Sequence, residues 1–184
     1  MHKKFLLIDT PGHGKLRHHA LGNITSPQNL KGIIFLVDAA SLSTGDEALR
    51  QTSEYLHDIL LLLQKRMTSS KTSKATKEIP LLIAANKMDL FTALLTTQVK
   101  TTLEAEIGKV RSSRSKGLLD SGIGMGDTAE VEEKDDWVGE MGSSKFEFSQ
   151  MAEFNISVEV IGGSVIAADG SEVERWWSWV EQRL

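Results

Sequence analysis

Two short runs in this chain combine residue types that could do chemistry. In Asn86-Lys-Met-Asp89 a carboxylate stands two residues after a lysine, directly behind the apolar run Ile79-Pro-Leu-Leu-Ile-Ala-Ala85. Such a carboxylate can accept two parallel hydrogen bonds from the N1–H and exocyclic amine of guanine, a donor pair that adenine lacks. Lys87 can lay its methylene stem over the base plane, and Asn86 can tie the loop to the phosphate-binding side. In Asp9-Thr-Pro-Gly12 an acid and a glycine follow a second apolar run, Lys4-Phe-Leu-Leu-Ile8. An aspartate at a strand end can hold Mg²⁺ through water, and the Gly12 N–H can reach a terminal phosphate where a side chain would obstruct it. His13 stands where switch-type nucleotide hydrolases orient the attacking water; the plain alternative is a loop histidine with no catalytic task. Both motifs also occur as ordinary turns. Their order, and the buried strand leading into NKMD, favour the functional reading.

The elements that must position these residues follow from periodicity. Residues 4–8, 32–37, 79–85 and 156–161 are short apolar runs of the kind that form buried strands. Between them, residues 14–22 suit a short irregular helix, 44–65 repeat apolar residues at helical spacing, 92–111 continue as an amphipathic helix, and 170–184 close the chain. Ser43 or Thr44 can cap the second of these helices, with Glu47 in its first turn. Strands alternating with helices predict a mostly parallel sheet covered on both faces, an α/β three-layer fold. Ligands of such sheets bind at the carboxyl ends of the strands. Asp9, Asp38, Asn86 and Ser164 all fall at or just past such an end, which makes them one candidate site. Residues 112–144 are Gly/Ser-rich and then acidic, with seven acids against one lysine in 127–140, and are expected to form a long, mobile, disordered insertion within one domain spanning 1–184.

Composition narrows the alternatives. The 184 residues suit one domain, and a net charge of −4 gives no electrostatic reason for direct nucleic-acid binding. The sequence has no cysteine, which excludes disulfides and thiol chemistry. No run approaches the ~18 apolar residues of a membrane span, so the chain as it stands is expected to be soluble. Gly12-His-Gly-Lys-Leu is not a phosphate-binding G-x-x-x-x-G-K-[ST], because Asp9 falls on the first glycine and Leu16 on the final hydroxyl. Gly122-Ile-Gly-Met-Gly126 follows no strand. His13, His18 and His19 lack a carboxylate or cysteine to complete a metal site. Trp176, Trp177 and Trp179 suggest core packing with one exposed ring rather than a stacking platform.

Taken together, Asp-x-Pro-Gly-His-x-x-Leu-Arg at 9–17, Asn-Lys-x-Asp-Leu at 86–90 and Phe146-Glu-Phe-Ser-Gln150 resemble the β subunit of the signal recognition particle receptor. Arg111-Ser-Ser-Arg-Ser115 and the long insertion before Phe146 fit the same pattern. That family consists of small Ras/Arf-like GTPases of the endoplasmic reticulum. The resemblance implies GTP and Mg²⁺ as ligands, an N-terminal membrane anchor, and a GTP-dependent contact with the receptor α subunit that helps deliver ribosomes to the translocon. It maps nucleotide binding onto Asp9, Gly12, Asn86, Lys87 and Asp89, with Mg²⁺ held through water by Asp9 and water positioning by His13. A base-contacting loop falls near Gly163-Ser-Val165, so Ser164 and Val165 join the site, although the usual Ser-Ala-Lys-like spelling is absent.

The resemblance also implies elements that would precede residue 1: the anchor, the first strand, the P-loop, the switch-one threonine and the second strand. The expected fold is therefore a P-loop-NTPase-like sheet lacking those parts, with impaired nucleotide binding. Two other readings stay open: a nucleotide-free protein-interaction module, and a fragment of an Arf-type or translational GTPase.

Overall fold

The computed structural model describes residues 4–25, 30–69, 77–120, 137–140, 143–166 and 171–184. Within them, a turn of 3-10 helix at Gly14–Leu16 leads into α1 (Arg17–Thr25). Then come β1 (Ile33–Asp38), a single-turn α2 (Ser41–Thr44), α3 (Asp46–Ser69), β2 (Ile79–Asn86) and α4 (Thr96–Asp120). A 3-10 segment at Phe148–Phe154, β3 (Ile156–Gly162) and α5 (Ser171–Glu181) complete the described chain.

The three strands form one parallel sheet in the order β1-β2-β3, so β2 is central. Its position explains its composition. A strand covered on both faces has no polar side to show, and residues 79–85 are buried throughout. Alternate residues part to opposite faces. Leu81, Ile83 and Ala85 join the larger core with Leu56, Leu60 and Leu63 of α3 and Val99, Leu103 and Ile107 of α4. Leu82 and Ala84 face the other way and pack with Trp176 and Trp179 of α5. Trp177 on the same helix is exposed, as expected of one ring in the three.

The structure departs from the sequence reading at four places. Residues 4–8 form no strand; Leu6 is 83% exposed, and no described strand lies between this segment and β1 to pair with it. Without such a neighbour its backbone groups turn to water. The helix expected over 44–65 forms as α3 but begins only at Asp46, because Gly45 is extended (φ −145°, ψ 115°), and it runs on to Ser69; the expected caps Ser43 and Thr44 lie instead in α2. Asp46 and Glu47 then occupy the first turn of α3, where the helix dipole favours acids. Helix α4 starts later and runs further than 92–111, taking in residues 112–120 that composition assigned to the insertion.

The insertion's far end is also built into the core. Val138 and Phe146 are buried, the Gln64 side chain bonds the Trp137 carbonyl (2.8 Å) and the Gly139 N–H (3.0 Å), and buried Arg111 donates to the carbonyls of Val138 (3.2 Å) and Ser143. Residues 121–136, which include Gly122–Gly126 and most of the acidic run, lie outside the described residues.

Candidate functional site

The carboxyl end of the sheet is where the predicted residues meet. Register pairs Asp38 with Asn86 and Ala85 with Gly162, so β1, β2 and β3 finish at the same level. Beyond Asn86 the chain turns sharply. Lys87 takes a left-handed conformation (φ 64°), one of two such non-glycine residues among those described. The Asn86 side chain stabilises that turn: its Oδ1 accepts the Lys87 N–H at 2.8 Å and the Val165 N–H at 3.1 Å. One carbonyl oxygen thereby joins the loops after β2 and β3.

Asp89 makes the second tie between these loops. The Ser164 hydroxyl, 1% exposed, donates to Asp89 Oδ1 at 2.5 Å, and Ser164 Oγ in turn accepts the Ile166 N–H at 3.3 Å. Backbone bonds reinforce the join, from Met88 N–H to the Gly163 carbonyl (3.2 Å) and from Gly163 N–H to the Ala85 carbonyl (2.9 Å). The two glycines of this join are hemmed in by the neighbouring helices. A Cβ on Gly162 would stand 2.6 Å from Thr96 Oγ1, and one on Gly163 would stand 2.9 Å from the Glu172 carbonyl. Asp89 itself is exposed, with Oδ1 taken and its carboxylate at the rim.

On the opposite side the loop is tied to the end of β1. Lys87 Nζ sits 2.6 Å from Asp38 Oδ2, while Asp38 Oδ1 accepts the N–H groups of Ala40 and Ser41, each at 3.1 Å. Partial burial pushes the Asp38 carboxyl up, but the hydrogen bonds from Lys87 and Ser41 and the lysine's charge outweigh it, leaving the pKa at about 2. Ala39 N–H bonds the Asn86 carbonyl (3.1 Å), Leu94 N–H bonds the Ala39 carbonyl (3.1 Å), and the Ser43 hydroxyl reaches the Thr92 carbonyl (2.6 Å). The whole 86–94 turn is thus clasped by residues 38–43.

Five predicted residues therefore come together: Asn86, Lys87, Asp89, Ser164 and Val165. The other three do not join them. Asp9, Gly12 and His13 are exposed on the unpaired segment before α1. There the Gly12 carbonyl accepts from Arg17 Nε (3.3 Å), and His13 Nδ1 accepts the Lys15 N–H at 3.4 Å. Sequence reasoning placed Asp38 at a strand end without giving it a task, and offered Ser43 only as a helix cap rather than as a tie to the 86–94 turn. The pairing of Asp38 with Asn86 across neighbouring strands is a tertiary fact that no local spacing carries.

A parallel sheet with helices on both faces of its central strand, and NKMD closing that strand, is an α/β fold of the small-GTPase type. A family model of the signal recognition particle receptor beta subunit matches residues 1–155. The signal recognition particle receptor subunit beta of Saccharomyces cerevisiae is 31% identical over 179 residues, covering 97% of this chain and 66% of its own length. The human subunit of that name is 30% identical over 175 residues, covering 92% of this chain and 56% of its own.

Among solved structures, the signal recognition particle receptor SRb-GDP-Mg from Chaetomium thermophilum superimposes with a TM-score of 0.82 at 45% identity, covering 98% of this chain and 80% of that one. The SRb-GTP/SRX complex from the same organism gives 0.83 at 43% identity, covering 99% and 68%. The chain belongs to the signal recognition particle receptor beta subunit family. It spans about half to two thirds of the length of the curated relatives it matches.

Proposed function

We propose that this chain is the GTP-binding subunit of a signal recognition particle receptor. Its role would be co-translational targeting of proteins to the endoplasmic reticulum, at the cytosolic face of that membrane, through a nucleotide-dependent contact with the receptor α subunit. The observation that carries the reading is the doubly tied loop, in which Asn86 Oδ1 joins Lys87 to Val165 and Ser164 holds Asp89. That geometry fits guanine. With Oδ1 fixed by Ser164, the Asp89 carboxylate is oriented before a ligand arrives, and the exposed rim leaves it free to accept the N1–H and exocyclic amine. The Val165 N–H region would border the base on the β3 side. Lys87 would cover the base plane.

The phosphate side is a different case. Among the described residues no group of histidines and acids could hold a metal ion. Mg²⁺ would therefore arrive with the nucleotide's phosphates, with Asp9 touching it through water and Gly12 donating its N–H. Those two residues stand exposed on a segment outside the sheet, and the 184 residues contain no G-x-x-x-x-G-K-[ST]. A cradle of backbone N–H groups normally supplies much of the phosphate affinity. Binding by this chain would thus rest on its base-reading half and be weak, and water positioning by His13 would depend on that segment being gathered to the site.

That same exposure favours a second reading, a nucleotide-free interaction module presenting α1. Arg17 is tied to the rest of the fold by a bond to the Gln51 carbonyl (3.4 Å) and lies over the Tyr55 ring at 4.4 Å. Contacts with α3 therefore hold the α1 surface in place, with Arg17 also bonding the Gly12 carbonyl.

Pull-down of the receptor α subunit's amino-terminal domain by this chain, with GTP, with GDP and without nucleotide, tests both readings. Capture that requires GTP supports the receptor-subunit reading. Capture indifferent to nucleotide supports the module, and no capture under any condition overturns both. No described helix is long and apolar enough to cross a membrane.

A further inference from the structure

The exposed Lys87 in the guanine-type loop is tied to a residue of another strand. Its backbone sits at φ 64°, which directs the side chain, and its Nζ meets Asp38 Oδ2 at 2.6 Å. Asp38 is itself immobilised, because its other oxygen caps the N–H groups of Ala40 and Ser41. The acceptor is thus a carboxylate held by the first turn after β1 rather than a mobile surface acid.

Topology makes the tie directional. Strand β2 lies between β1 and β3, with Asp89 drawn toward β3 through Ser164 and Lys87 drawn toward β1 through Asp38. A ligand base seated on the Asp89 carboxylate would then find the lysine stem stretched across the strand ends instead of swinging free. Left unpaired, a lysine loses much rotamer freedom when it lays its stem on a ligand, and a prior anchor removes that cost from binding.

We propose that Asp38 is a positioning residue for base recognition, which holds the Lys87 stem in place as the cover of a purine bound to Asp89. The inference rests on the nucleotide-binding reading above. It assigns the β1 end a part in affinity, but none in choosing guanine over other bases. That choice belongs to Asp89, because Asp38 touches the ammonium group and not the base edge.

The test is equilibrium titration with fluorescent guanosine and inosine nucleotides in Mg²⁺, comparing the unmodified chain with Asp38→Asn, Lys87→Met, their double variant and Asp89→Asn. Asparagine keeps an oxygen for the Ala40 and Ser41 N–H groups while removing the charge partner of Lys87. Asp38→Asn should weaken guanosine and inosine binding alike, by about three- to tenfold, the range of a geometrically fixed ion pair. The ratio between the two nucleotides should stay unchanged, and the double variant should bind no worse than Lys87→Met alone. Asp89→Asn should instead collapse the ratio.

Equal affinity of Asp38→Asn and the unmodified chain overturns the proposal while leaving the guanine site standing. Losses that multiply in the double variant do the same, since they would mean that the two residues act separately. A folded, unmodified chain that binds neither nucleotide overturns the nucleotide reading and this proposal with it.

Discussion

At the scale of single residues, the site is built from groups whose partners are fixed across strands. Asp38 shows how this becomes a pH effect. Its folded pKa of about 2 lies below the ordinary value of 3.8, so its pairing with Lys87 and Ser41 stabilises the fold above about 3.8 and that contribution is lost as pH falls toward 2. In Lys87→Met, carbon-detected NMR should find the Asp38 carboxyl titrating closer to its ordinary range; an unchanged midpoint would mean that the lysine is not what holds it down. Gly163 offers a steric test. Its Cβ position lies 2.9 Å from the Glu172 carbonyl and 3.0 Å from Trp176 Cζ2, so Gly163→Ala should lower unfolding free energy by about 1–3 kcal/mol in urea. Little change would mean that α5 yields easily. Of the site residues, Asn86, Lys87 and Asp89 could be read from the sequence because their roles follow from side-chain chemistry behind a buried strand. Ser164 was placed at the site by its position just past a strand end, whereas Val165 came from a resemblance that the local spelling only partly supports. Asp38 acquires its partner from strand register, which spacing along the chain does not encode.

Among the elements, the most informative is the junction of α3 and α4 with residues 137–146. A buried guanidinium needs acceptors, and Arg111 finds the carbonyls of Val138 and Ser143 while stacking on the Trp137 ring at 4.2 Å. Glu104 of the same helix accepts the Phe148 N–H at 2.8 Å, fastening the start of the 3-10 segment that leads to β3. The far end of the acidic stretch is therefore anchored by two helices. Replacing Arg111 by Met leaves those carbonyls without donors and should cost about 2–4 kcal/mol. Exchange of the Gly139 amide, which donates to Gln64 Oε1, should then accelerate along with it; protection unchanged from the parent chain would show that the anchor lies elsewhere. Composition misjudged this region for a physical reason. Glycine and serine lower helix propensity, but tertiary packing of Arg111 and Val110 outweighs a weak local preference. The strand expected at 4–8 failed in the opposite sense, since an apolar run becomes a strand only where a neighbour can accept its hydrogen bonds.

In the whole molecule, one central strand carries two cores and ends in the candidate site. Helix α5 covers one face through Trp176 and Trp179, and Trp179 Nε1 is further fixed by Glu159 of β3 at 3.1 Å. Trp176→Ala should remove about 3–5 kcal/mol of stability and weaken ligand binding indirectly, because Gly163 rests against that ring. The parallel α/β architecture was legible from the alternation of apolar runs and helical periods. Sheet order was not, since it depends on which strands find partners in space. The architecture brings the residues proposed to read the base to one rim and leaves Asp9, Gly12 and His13 on an exposed segment, so the chain is expected to select guanine but grip it weakly. The most direct test is to titrate the folded chain with guanosine and adenosine triphosphates in Mg²⁺, alongside Asp89→Asn. Weak binding of the guanosine nucleotide alone, abolished by the substitution, is the predicted result. Equal binding of both nucleotides, or guanosine binding that survives the loss of the Asp89 carboxylate, would contradict it.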